Sequence, residues 1–487
     1  MKVLKEILKG ISHTVSGNEN QTVNNIVFDS RKVEKGDMFI AVKGTQLDGH
    51  KFITDVTAKG ASVIVCEDVP VDGGDVCFVK VDNSAKALGL LSGNFYDNPS
   101  AKLKLVGVTG TNGKTSIATF LHELFTGAGY KVGLLSTIIN KIGATEVEAT
   151  HTTPDAVQIN KLLGEMVVAG CEYAFMEVSS HAIDQERVSG LTFAGGIFTN
   201  ITHDHLDYHK TFDGYIKAKK KFFDDISPDA FALVNADDKN SGVMVQSSAA
   251  TKKTYGLKNM ADYKGVVIET HLDGMQLRMN QSDVWVRLTG YFNASNLLAV
   301  FGTAVELGLP VEEVCTGISQ LQPVRGRLET MHFEGGITAI VDYAHTPDAL
   351  KNVLEAINKV HEGKGNVITV VGAGGNRDKD KRPKMAAQAL AGSNKVILTS
   401  DNPRFEEPED ILKDMQAGVS ASNAARVLKI TDREEAIRTA CMLAQPGDIV
   451  LVAGKGHEDY QDVKGVKRHF DDKEVLLKQL KLKSENL

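Results

Sequence analysis

The chain has 487 residues, enough for about three domains of roughly 150 residues each. Apolar residues make up 42% and charged residues 24%, and the net charge of −7 gives no electrostatic reason to expect nucleic acid or a membrane as a partner. The five cysteines form no CxxC pair and argue against a disulfide framework or a structural zinc site. We therefore expect a cytoplasmic, monomeric protein without membrane insertion.

Apolar runs separated by polar or glycine-containing turns predict strands that alternate with helices. The predicted strands lie at 26–28, 38–42, 62–66, 76–81, 105–108, 174–178, 196–198, 231–234, 337–341, 367–371, 396–399 and 449–452. A helix is predicted after Asp342, because Thr346 can cap it and Pro347 suits its first turn. Such alternation indicates parallel sheets covered on both faces.

These elements predict an α/β fold with three domains. Residues 1–100 would form a small N-terminal α/β domain, and residues 101–332 a central domain with a mostly parallel sheet. Residues 333–487 would form a C-terminal Rossmann-like domain.

The strongest motif follows the strand at 105–108, where a glycine-rich loop precedes an amphipathic helix. In this context backbone N–H groups converge on phosphate oxygens at the positive end of the helix. Lys114 would neutralise the β- and γ-phosphates and Thr115 would ligate Mg²⁺, which makes the central domain a P-loop ATPase domain. The residues predicted to bind ATP here are Gly110, Thr111, Asn112, Gly113, Lys114, Thr115 and Ser116.

Two polar segments follow this loop along the chain, Glu177-Val-Ser-Ser-His181 and Asn200-Ile-Thr-His-Asp-His-Leu-Asp207. They resemble the E-x-S-S-H and N-x-x-x-D-H-L-D segments of the Mur ligase family. The loop Gly-Thr-Asn-Gly-Lys-Thr is similar to the ATP loop of Mur ligases and of folylpolyglutamate synthetases. The resemblance implies an ATP-dependent amide-forming ligase of peptidoglycan precursor synthesis, in which Glu177 and His205 hold Mg²⁺.

Lys219 differs from the other lysines of the run in which it lies. The residues within about 60° of it on a helical wheel are Tyr215, Ile216, Phe222 and Phe223. Desolvation among these side chains lowers the pKa of an amine, and a neutral amine can react with CO₂ to give an anionic carbamate. By position Lys219 also matches the lysine that is carbamoylated in Mur ligases. We therefore expect an N6-carboxylysine that ligates or positions a second Mg²⁺.

Three later segments resemble those that complete the nucleotide site in this family. They are Gly290-Tyr-Phe-Asn-Ala-Ser-Asn296, Pro323-Val-Arg-Gly-Arg327 and Asp342-Tyr-Ala-His345. The resemblance implies that Asn296 faces the nucleotide and Arg327 approaches it. Asp342 would hold the ribose, and His345 would lie near the phosphates. ATP would then be held from two domains, and domain closure would assemble the site.

Other segments resemble the UDP-muramoyl-dipeptide site of the family member that adds the third residue of the peptide stem. The residues implied in the N-terminal domain are Phe28, Ser30, Thr45, Gln46 and Leu47. The residues implied in the central domain are Thr152, Thr153, Ser179, Gln185 and Arg187.

The segments around Arg377, Asp401-Asn402-Pro403-Arg404 and Gly454-Lys-Gly-His-Glu458 resemble the amino-acid site of the same ligase. Meso-diaminopimelate differs from lysine by a distal carboxylate, which a guanidinium can bind bidentately. Arg404 and Arg377 are therefore predicted to select diaminopimelate, and Glu458 could bind an ammonium group of the substrate.

The resulting prediction is a ligase that joins meso-diaminopimelate to the D-glutamate γ-carboxylate of UDP-N-acetylmuramoyl-L-alanyl-D-glutamate through an acyl phosphate. Lys114, Glu177, His205 and Lys219 would be its catalytic residues. A lysine-adding ligase of the same family and a P-loop switch ATPase without an acceptor remain alternatives. A folylpolyglutamate synthetase shares the ATP loop, but the regions around Ser30 and Arg404 do not suit it.

Overall fold

A computed structural model describes residues 1–44, 47–70, 76–333 and 335–484, and within these ranges sheets of five, eleven and six strands organise the chain. We call them the N-terminal, central and C-terminal sheets. Each is built largely from parallel strands with helices between them, so the predicted three-part α/β fold is confirmed.

The N-terminal sheet is parallel except for one edge strand. Its strands in spatial order are Thr14–Ser16, Cys77–Lys80, Val63–Cys66, Met38–Ile40 and Ile26–Val27. The helices of this domain are Leu4–Ile7, Ile53–Ala58 and Ser84–Phe95, with 3-10 turns at Ser30–Lys32, Gly49–Phe52 and Pro99–Lys102. A short ribbon pairs Lys2–Val3 with Thr22–Val23.

The central sheet has a parallel middle and antiparallel edges. Its strands in spatial order are Thr145–Glu148, Ile139–Ile142, Val132–Leu135, Tyr173–Glu177, Lys104–Thr109, Gly195–Phe198, Phe231–Asn235, Thr251–Gly256, Tyr263–His271, Gly274–Met279 and Ser282–Val286. Its helices are Lys114–Gly127, Ala156–Val168, Ser180–Asp184, Leu206–His209, Phe212–Asp224, Ser241–Met244, Tyr291–Glu306 and Val311–Gln320.

Both faces of the central sheet are covered by apolar helix faces. Lys114–Gly127 and Tyr291–Glu306 contribute Leu121 and Leu297 to the core on one face. Ala156–Val168 and Phe212–Asp224 pack against the other face. Burial on both sides explains why the inner strands read as continuous apolar runs in the sequence.

The C-terminal sheet has the order Glu329–His332, Thr338–Asp342, Ile449–Ala453, Val367–Ala373, Lys395–Ser400 and Val427–Lys429. Its helices are Pro347–His361, Lys381–Gly392, Pro408–Gln416, Arg433–Leu443 and Asp472–Ser484, with a 3-10 turn at Ala421–Arg426 and a hairpin of Tyr460–Val463 and Val466–His469. As predicted, the Thr346 side chain caps the helix that begins at Pro347.

The strand Glu329–His332 pairs with Thr338–Asp342 in the C-terminal sheet. It precedes the division that the sequence suggested between residues 332 and 333, so we propose that the third domain begins before residue 329. In the described part of the chain no helix is both long enough and apolar enough to cross a bilayer.

Candidate active site

A cavity of about 650 Å³ lies between the central and C-terminal domains. Parallel strands of both sheets end beside it, in the position where open α/β sheets bind ligands. The predicted site residues that line it are Thr111, Asn112, Gly113, Lys114, Thr115, Ser116, Thr152, Thr153, Glu177, Ser179, Arg187, His205, Asn296, Arg327, Asp342, His345 and Arg377. Residues predicted for the phosphates, dipeptide residues of the central domain and, from the amino-acid set, Arg377 therefore share one cavity.

The phosphate loop connects the strand Lys104–Thr109 to the helix that begins at Lys114. Gly110 and Gly113 adopt φ angles of 151° and 91°, and a Cβ at Gly110 would lie 1.8 Å from Thr199 Oγ1. The loop is also held from outside, because Asn112 N donates to Asn200 Oδ1 at 3.0 Å. Glycine is thus required sterically in this loop, and the helix N-terminus opens into the cavity.

Two lysines donate to a single carbonyl oxygen beneath this loop. Lys114 Nζ lies 3.0 Å and Lys219 Nζ 2.8 Å from the oxygen of Gly110. Lys219 is 1% exposed, and its ammonium lies 4.8 Å from the ring centroid of Tyr215. Burial lowers the pKa of Lys219 well below its ordinary value, and Lys114 acts in the same direction. The burial that the helical wheel predicted for Lys219 is therefore confirmed.

The acid and histidine predicted to hold Mg²⁺ lie at the wall of the cavity. Glu177 is buried, and its Oε1 accepts a hydrogen bond from Thr137 N at 2.7 Å. His205 Nε2 lies 3.4 Å from Asp204 Oδ2, and burial lowers the pKa of His205 so that a neutral imidazole faces the cavity.

Among the described residues, no three His, Cys, Asp or Glu side chains are arranged to hold a metal by themselves. Mg²⁺ commonly takes one or two protein carboxylates, and phosphate oxygens of the substrate complete its coordination. The Thr115 hydroxyl and the Glu177 carboxylate therefore fit Mg²⁺ that arrives with a nucleotide rather than a preformed protein cage.

The residues predicted around the nucleotide come from the central domain and from the segment that enters the C-terminal domain. Asn296 packs against the phosphate loop, since a Cβ at Gly113 would lie 2.6 Å from Asn296 Oδ1. Both carboxylate oxygens of Asp342 accept backbone N–H bonds, from Leu328 at 2.6 Å and from Ala344 at 2.7 Å. Each oxygen keeps a second lone pair for another donor.

His345 lines the same cavity, and its Nδ1 lies 2.9 Å from the carbonyl oxygen of Tyr343. A carbonyl only accepts, so Nδ1 carries the proton and Nε2 is left as an acceptor. Burial lowers the pKa of His345 to about 4, so the ring is neutral near pH 7.

The two domains also contact each other directly at the cavity. Asn112 Nδ2 donates to Asp348 Oδ2 at 3.3 Å, and His203 Nε2 lies 3.1 Å from Asp378 Oδ2. Where the chain enters the C-terminal domain, packing is equally close, since a Cβ at Gly326 would lie 2.1 Å from His457 N. Loops of both domains therefore touch beside the cavity.

The dipeptide residues of the central domain form one hydrogen-bonded group. Thr153 Oγ1 donates to Glu177 O at 2.8 Å and accepts from Ser179 N at 3.0 Å. Arg187 Nη1 donates to Thr153 O at 2.8 Å, and Arg187 Nε donates to Gln185 Oε1 at 3.1 Å. Backbone and side-chain contacts thus hold the Arg187 guanidinium beside the threonines.

Of the dipeptide residues predicted in the N-terminal domain, the three that the structure describes, Phe28, Ser30 and Leu47, lie outside the cavity. Phe28 and Leu47 are exposed by 38% and 67%, and Ser30 begins a 3-10 turn. Thr45 and Gln46 lie outside the described residues. The large exposed fractions leave Phe28 and Leu47 accessible to a ligand.

The predicted amino-acid residues gather where the strands Lys395–Ser400 and Ile449–Ala453 end. Asn402 Nδ2 donates to Glu458 Oε2 at 2.7 Å, and Arg404 Nη1 donates to Gly375 O at 2.8 Å. Packing there is close, since a Cβ at Gly454 would lie 2.7 Å from Asp401 Oδ2 and one at Gly375 1.9 Å from Pro403 O. Of the amino-acid set, Arg377 alone is among the described residues that line the cavity.

The structure adds functional candidates to which the sequence had given no role. Asp204 is buried against His205, and the Arg327 guanidinium lies 4.2 Å from the ring centroid of Tyr343. Lys455 is 0% exposed beside Glu458. Each lies inside a segment that the sequence had singled out, so a charged or aromatic residue within such a segment was the available signal.

A phosphate loop, a buried lysine beneath it and a C-terminal α/β domain at the same cavity define an ATP-dependent, amide-forming ligase. Family comparison agrees with this class. The Mur ligase middle domain matches residues 108–304, the Mur ligase glutamate ligase domain residues 326–456, and the catalytic domain of the Mur ligase family residues 22–96. The chain therefore belongs to the Mur ligase family.

Two curated relatives and one solved structure indicate which members of the family the chain is similar to. The chain is 57% identical over 475 residues to a UDP-N-acetylmuramoyl-L-alanyl-D-glutamate–2,6-diaminopimelate ligase of Bacteroides fragilis, covering 97% of this chain and 98% of that protein. It is 59% identical over 461 residues to a ligase of the same name from Parabacteroides distasonis, covering 94% and 95%. A solved structure of a ligase with this name is 32% identical, with a TM-score of 0.70 and coverage of 99% and 100%.

Proposed function

We propose that this ligase joins meso-diaminopimelate to the γ-carboxylate of D-glutamate in UDP-N-acetylmuramoyl-L-alanyl-D-glutamate, with ATP converted to ADP and phosphate. The observation that carries the proposal is the shared cavity, in which the phosphate loop, Thr152, Arg187 and Arg377 meet. The names of the similar ligases support the same reaction.

In the first step, a γ-carboxylate oxygen attacks the γ-phosphorus of ATP, the bond to the bridging oxygen breaks, and ADP leaves. Both reactants are anionic, so their approach needs positive charge. Lys114 lies on the cavity wall at the N-terminus of its helix, where its ammonium and the backbone N–H groups offset that repulsion. Arg187, held beside the dipeptide threonines, orients the attacking end of the substrate.

In the second step, the free amine of the acceptor attacks the carbonyl carbon of the acyl phosphate. The tetrahedral intermediate expels phosphate, and the nitrogen loses a proton to leave the amide. Closure of the C-terminal domain excludes water, which would otherwise hydrolyse the acyl phosphate. The contacts of Asn112 with Asp348 and of His203 with Asp378 favour this closed arrangement.

Mg²⁺ would be held by Thr115, Glu177 and His205, and it would supply charge that offsets the phosphate oxygens. We propose that Lys219 is carbamoylated. Two lysine nitrogens meet at one carbonyl oxygen, which disfavours a positive charge on both, and a carbamate on Lys219 would instead attract the Lys114 ammonium. It would also add an anionic oxygen ligand beside the metal.

Around the nucleotide, Asn296 and Arg327 would contact ATP from two sides, Asp342 would accept from a ribose hydroxyl, and His345 would lie near the phosphates. In the acceptor site, Arg404 would bind the distal carboxylate of diaminopimelate and Glu458 the ammonium beside it. Lysine brings an ammonium without that carboxylate and leaves Arg404 unpaired.

An acceptor screen tests the proposal. Phosphate release is measured with ATP and UDP-muramoyl-dipeptide alone, and then with meso-diaminopimelate, L-lysine or D-alanine added. We expect release to depend on diaminopimelate and a product whose mass equals the two substrates less water. Equal turnover of lysine and diaminopimelate would refute the proposed selectivity for diaminopimelate. Phosphate release at the same rate with and without every amino acid would support a P-loop switch ATPase instead. A cytoplasmic location and a monomeric state remain predictions from the sequence.

A further inference from the structure

Lys455 is completely buried although the proposed reaction gives it no role. Its side chain is 0% exposed and lies between Gly454 and Glu458, where the strand Ile449–Ala453 ends. A buried ammonium is costly unless oxygen atoms surround it, so its partners indicate what it does.

Two of the three hydrogen-bond partners of Lys455 are residues predicted for the acceptor. Its Nζ lies 3.3 Å from Glu458 Oε2 and 3.4 Å from Asn402 Oδ1, and it also donates to the carbonyl oxygen of Tyr460. Asn402 Nδ2 donates to the same Glu458 oxygen at 2.7 Å. A lysine and an amide thus hold one oxygen of Glu458 and leave its other oxygen free to accept from a ligand.

Formal charges around this point balance. Asp401 and Glu458 bring two negative charges and Lys455 and Arg404 two positive ones, while the neighbouring Arg433 is neutralised by its own partner Asp472. The amino-acid end of an acceptor carries one carboxylate and one ammonium, so it enters without changing the total. Without Lys455 the site would hold an unbalanced negative charge.

We infer that Lys455 is a positioning residue for the acceptor, because it fixes the Glu458 carboxylate beside Asn402 and balances one of the two carboxylate charges there. The inference rests on the proposed function and deepens it. It predicts that Glu458 receives the non-reacting ammonium of the acceptor only while Lys455 is charged.

The groups that act on Glu458 set the direction of the pH effect. Burial and Asp401 raise the pKa of Glu458, while Lys455 lowers it. The other charged or titratable groups acting on it or sensing it are Arg433, Tyr343 and Tyr460. Removal of the Lys455 ammonium therefore raises the pKa of Glu458 further, and more of it is protonated at a given pH.

The test uses full-length enzyme with Lys455→Met, and KM is measured for diaminopimelate, ATP and UDP-muramoyl-dipeptide. We expect KM for diaminopimelate to rise roughly 10- to 100-fold at pH 7, as for loss of a hydrogen bond to a charged group. KM for ATP should stay within about twofold. The acid limb of kcat/KM for diaminopimelate should move to higher pH, which a loss of packing alone would not cause.

Lys483→Met is the matched control. Its ammonium also binds backbone oxygens, those of Cys441 and Met442 at 3.0 Å and 3.2 Å, but at the far end of the helix that begins at Arg433. This control should leave all KM values unchanged. If Lys455→Met does not fold, Lys455→Gln carries the same test without the charge.

A double-mutant cycle with Glu458→Gln separates positioning from general damage. If the inference holds, Lys455→Met changes KM for diaminopimelate by less than about threefold once Glu458 is an amide. The inference would be overturned if the increases in KM for diaminopimelate caused by the two single substitutions multiplied in the double variant. It would also be overturned if the acid limb of kcat/KM in Lys455→Met stayed at the wild-type pH. Failure of the wild type to use diaminopimelate would instead refute the proposed function, and the cycle would then be run on the acceptor that the screen identifies.

Discussion

Arg327 Nη2 donates to Thr115 Oγ1 at 3.2 Å, so an arginine at the start of the C-terminal domain binds the hydroxyl that the phosphate loop would offer to Mg²⁺. The same guanidinium stacks over the ring of Tyr343. Donation from Arg327 occupies one of the two lone pairs of that oxygen, and a metal bound through the other would bring its positive charge close to the guanidinium. Nucleotide binding should therefore turn Arg327 from the hydroxyl towards the phosphates.

Arg327→Ala tests this exchange. We expect KM for ATP to rise roughly 10- to 100-fold, because a charge-assisted contact with the nucleotide is lost, while KM for diaminopimelate changes less than threefold. Steady-state kinetics with each substrate varied in turn measure both. Arg325→Ala is the control, since its guanidinium pairs with Asp471 at 2.9 Å. Equal KM values for ATP in wild type and Arg327→Ala would contradict the assigned role.

Lys219→Ala should reduce kcat at least roughly 100-fold, because it removes both the ammonium below the loop and any carbamate formed on it. Added formate or acetate should restore part of the activity by supplying a carboxylate. Turnover with and without added carboxylate is the measurement. Unchanged activity without any carboxylate would count against the modification.

The control for Lys219 is Lys217→Ala on the same helix. Its side chain is 74% exposed and pairs with Asp213 at 2.7 Å, an exposed pair of small energetic value. Its activity should match wild type and should not respond to formate. Mass spectrometry of the intact wild type, before and after depletion of CO₂, adds a direct reading of the carbamate.

Arg404→Ala should raise KM for diaminopimelate by roughly 10- to 100-fold, because the distal carboxylate loses its bidentate partner. KM for ATP should change less than about twofold. Discrimination between diaminopimelate and lysine should shrink by the same factor, as competition assays with both amino acids would measure. If the variant still prefers diaminopimelate by the full wild-type ratio, selection resides elsewhere.

Acid should lower the free energy of unfolding through protonation of Glu406 in the C-terminal domain. Arg382 donates to both its oxygens, at 2.9 Å and 3.0 Å, and this contact lowers the pKa of Glu406 from 4.5 to about 2. A carboxyl with a lowered folded pKa contributes stability that is complete above pH 4.5 and is lost as the pH falls towards 2. Urea unfolding of Glu406→Gln and wild type should therefore differ at pH 7 and converge only as the pH falls to about 2. A difference that persists at low pH would exclude this linkage.

The buried pair of Arg433 and Asp472 should respond asymmetrically to substitution. Both side chains are 0% exposed, and two hydrogen bonds of 2.7 Å join them. Arg433→Met leaves a buried carboxylate unpaired and should cost about 3–5 kcal/mol in the free energy of unfolding. Arg433→Met with Asp472→Leu should recover part of that loss. Denaturant unfolding of wild type and the two variants measures these free energies. An Arg433→Met variant as stable as wild type would show that the buried pair does not have the predicted effect.

Much of the fold followed from local pattern. The predicted strand at 174–178 is observed at Tyr173–Glu177, and the predicted cap at Thr346 is present. The strands Ile139–Ile142 and Ser282–Val286 were not predicted. They lie in antiparallel ribbons at the edges of the central sheet, where half-exposed polar residues replace the continuous apolar runs of the inner strands.

The parts of the site that depend on contacts between residues far apart in the chain could not be predicted from the sequence. Burial of Lys219 follows from the period of a single helix, so the sequence could predict it. The contacts of Arg327 with Thr115 and of His203 with Asp378 join residues far apart in the chain, and no periodicity specifies them. Nothing in the sequence around Lys455, which lies between two glycines, indicated that its side chain is buried.

Two glycines face each other where the chain enters the C-terminal domain. Gly326 and Gly456 adopt φ angles of 69° and 53°, and a Cβ at either would lie less than 3 Å from backbone atoms of the opposite strand of chain. Because the two backbones pack so closely, the segment bearing Arg327 and the segment bearing Glu458 cannot shift independently of each other. If the C-terminal domain rotates as a unit, Arg327 and the residues predicted for the acceptor move together, so nucleotide and acceptor would be bound and released in one movement.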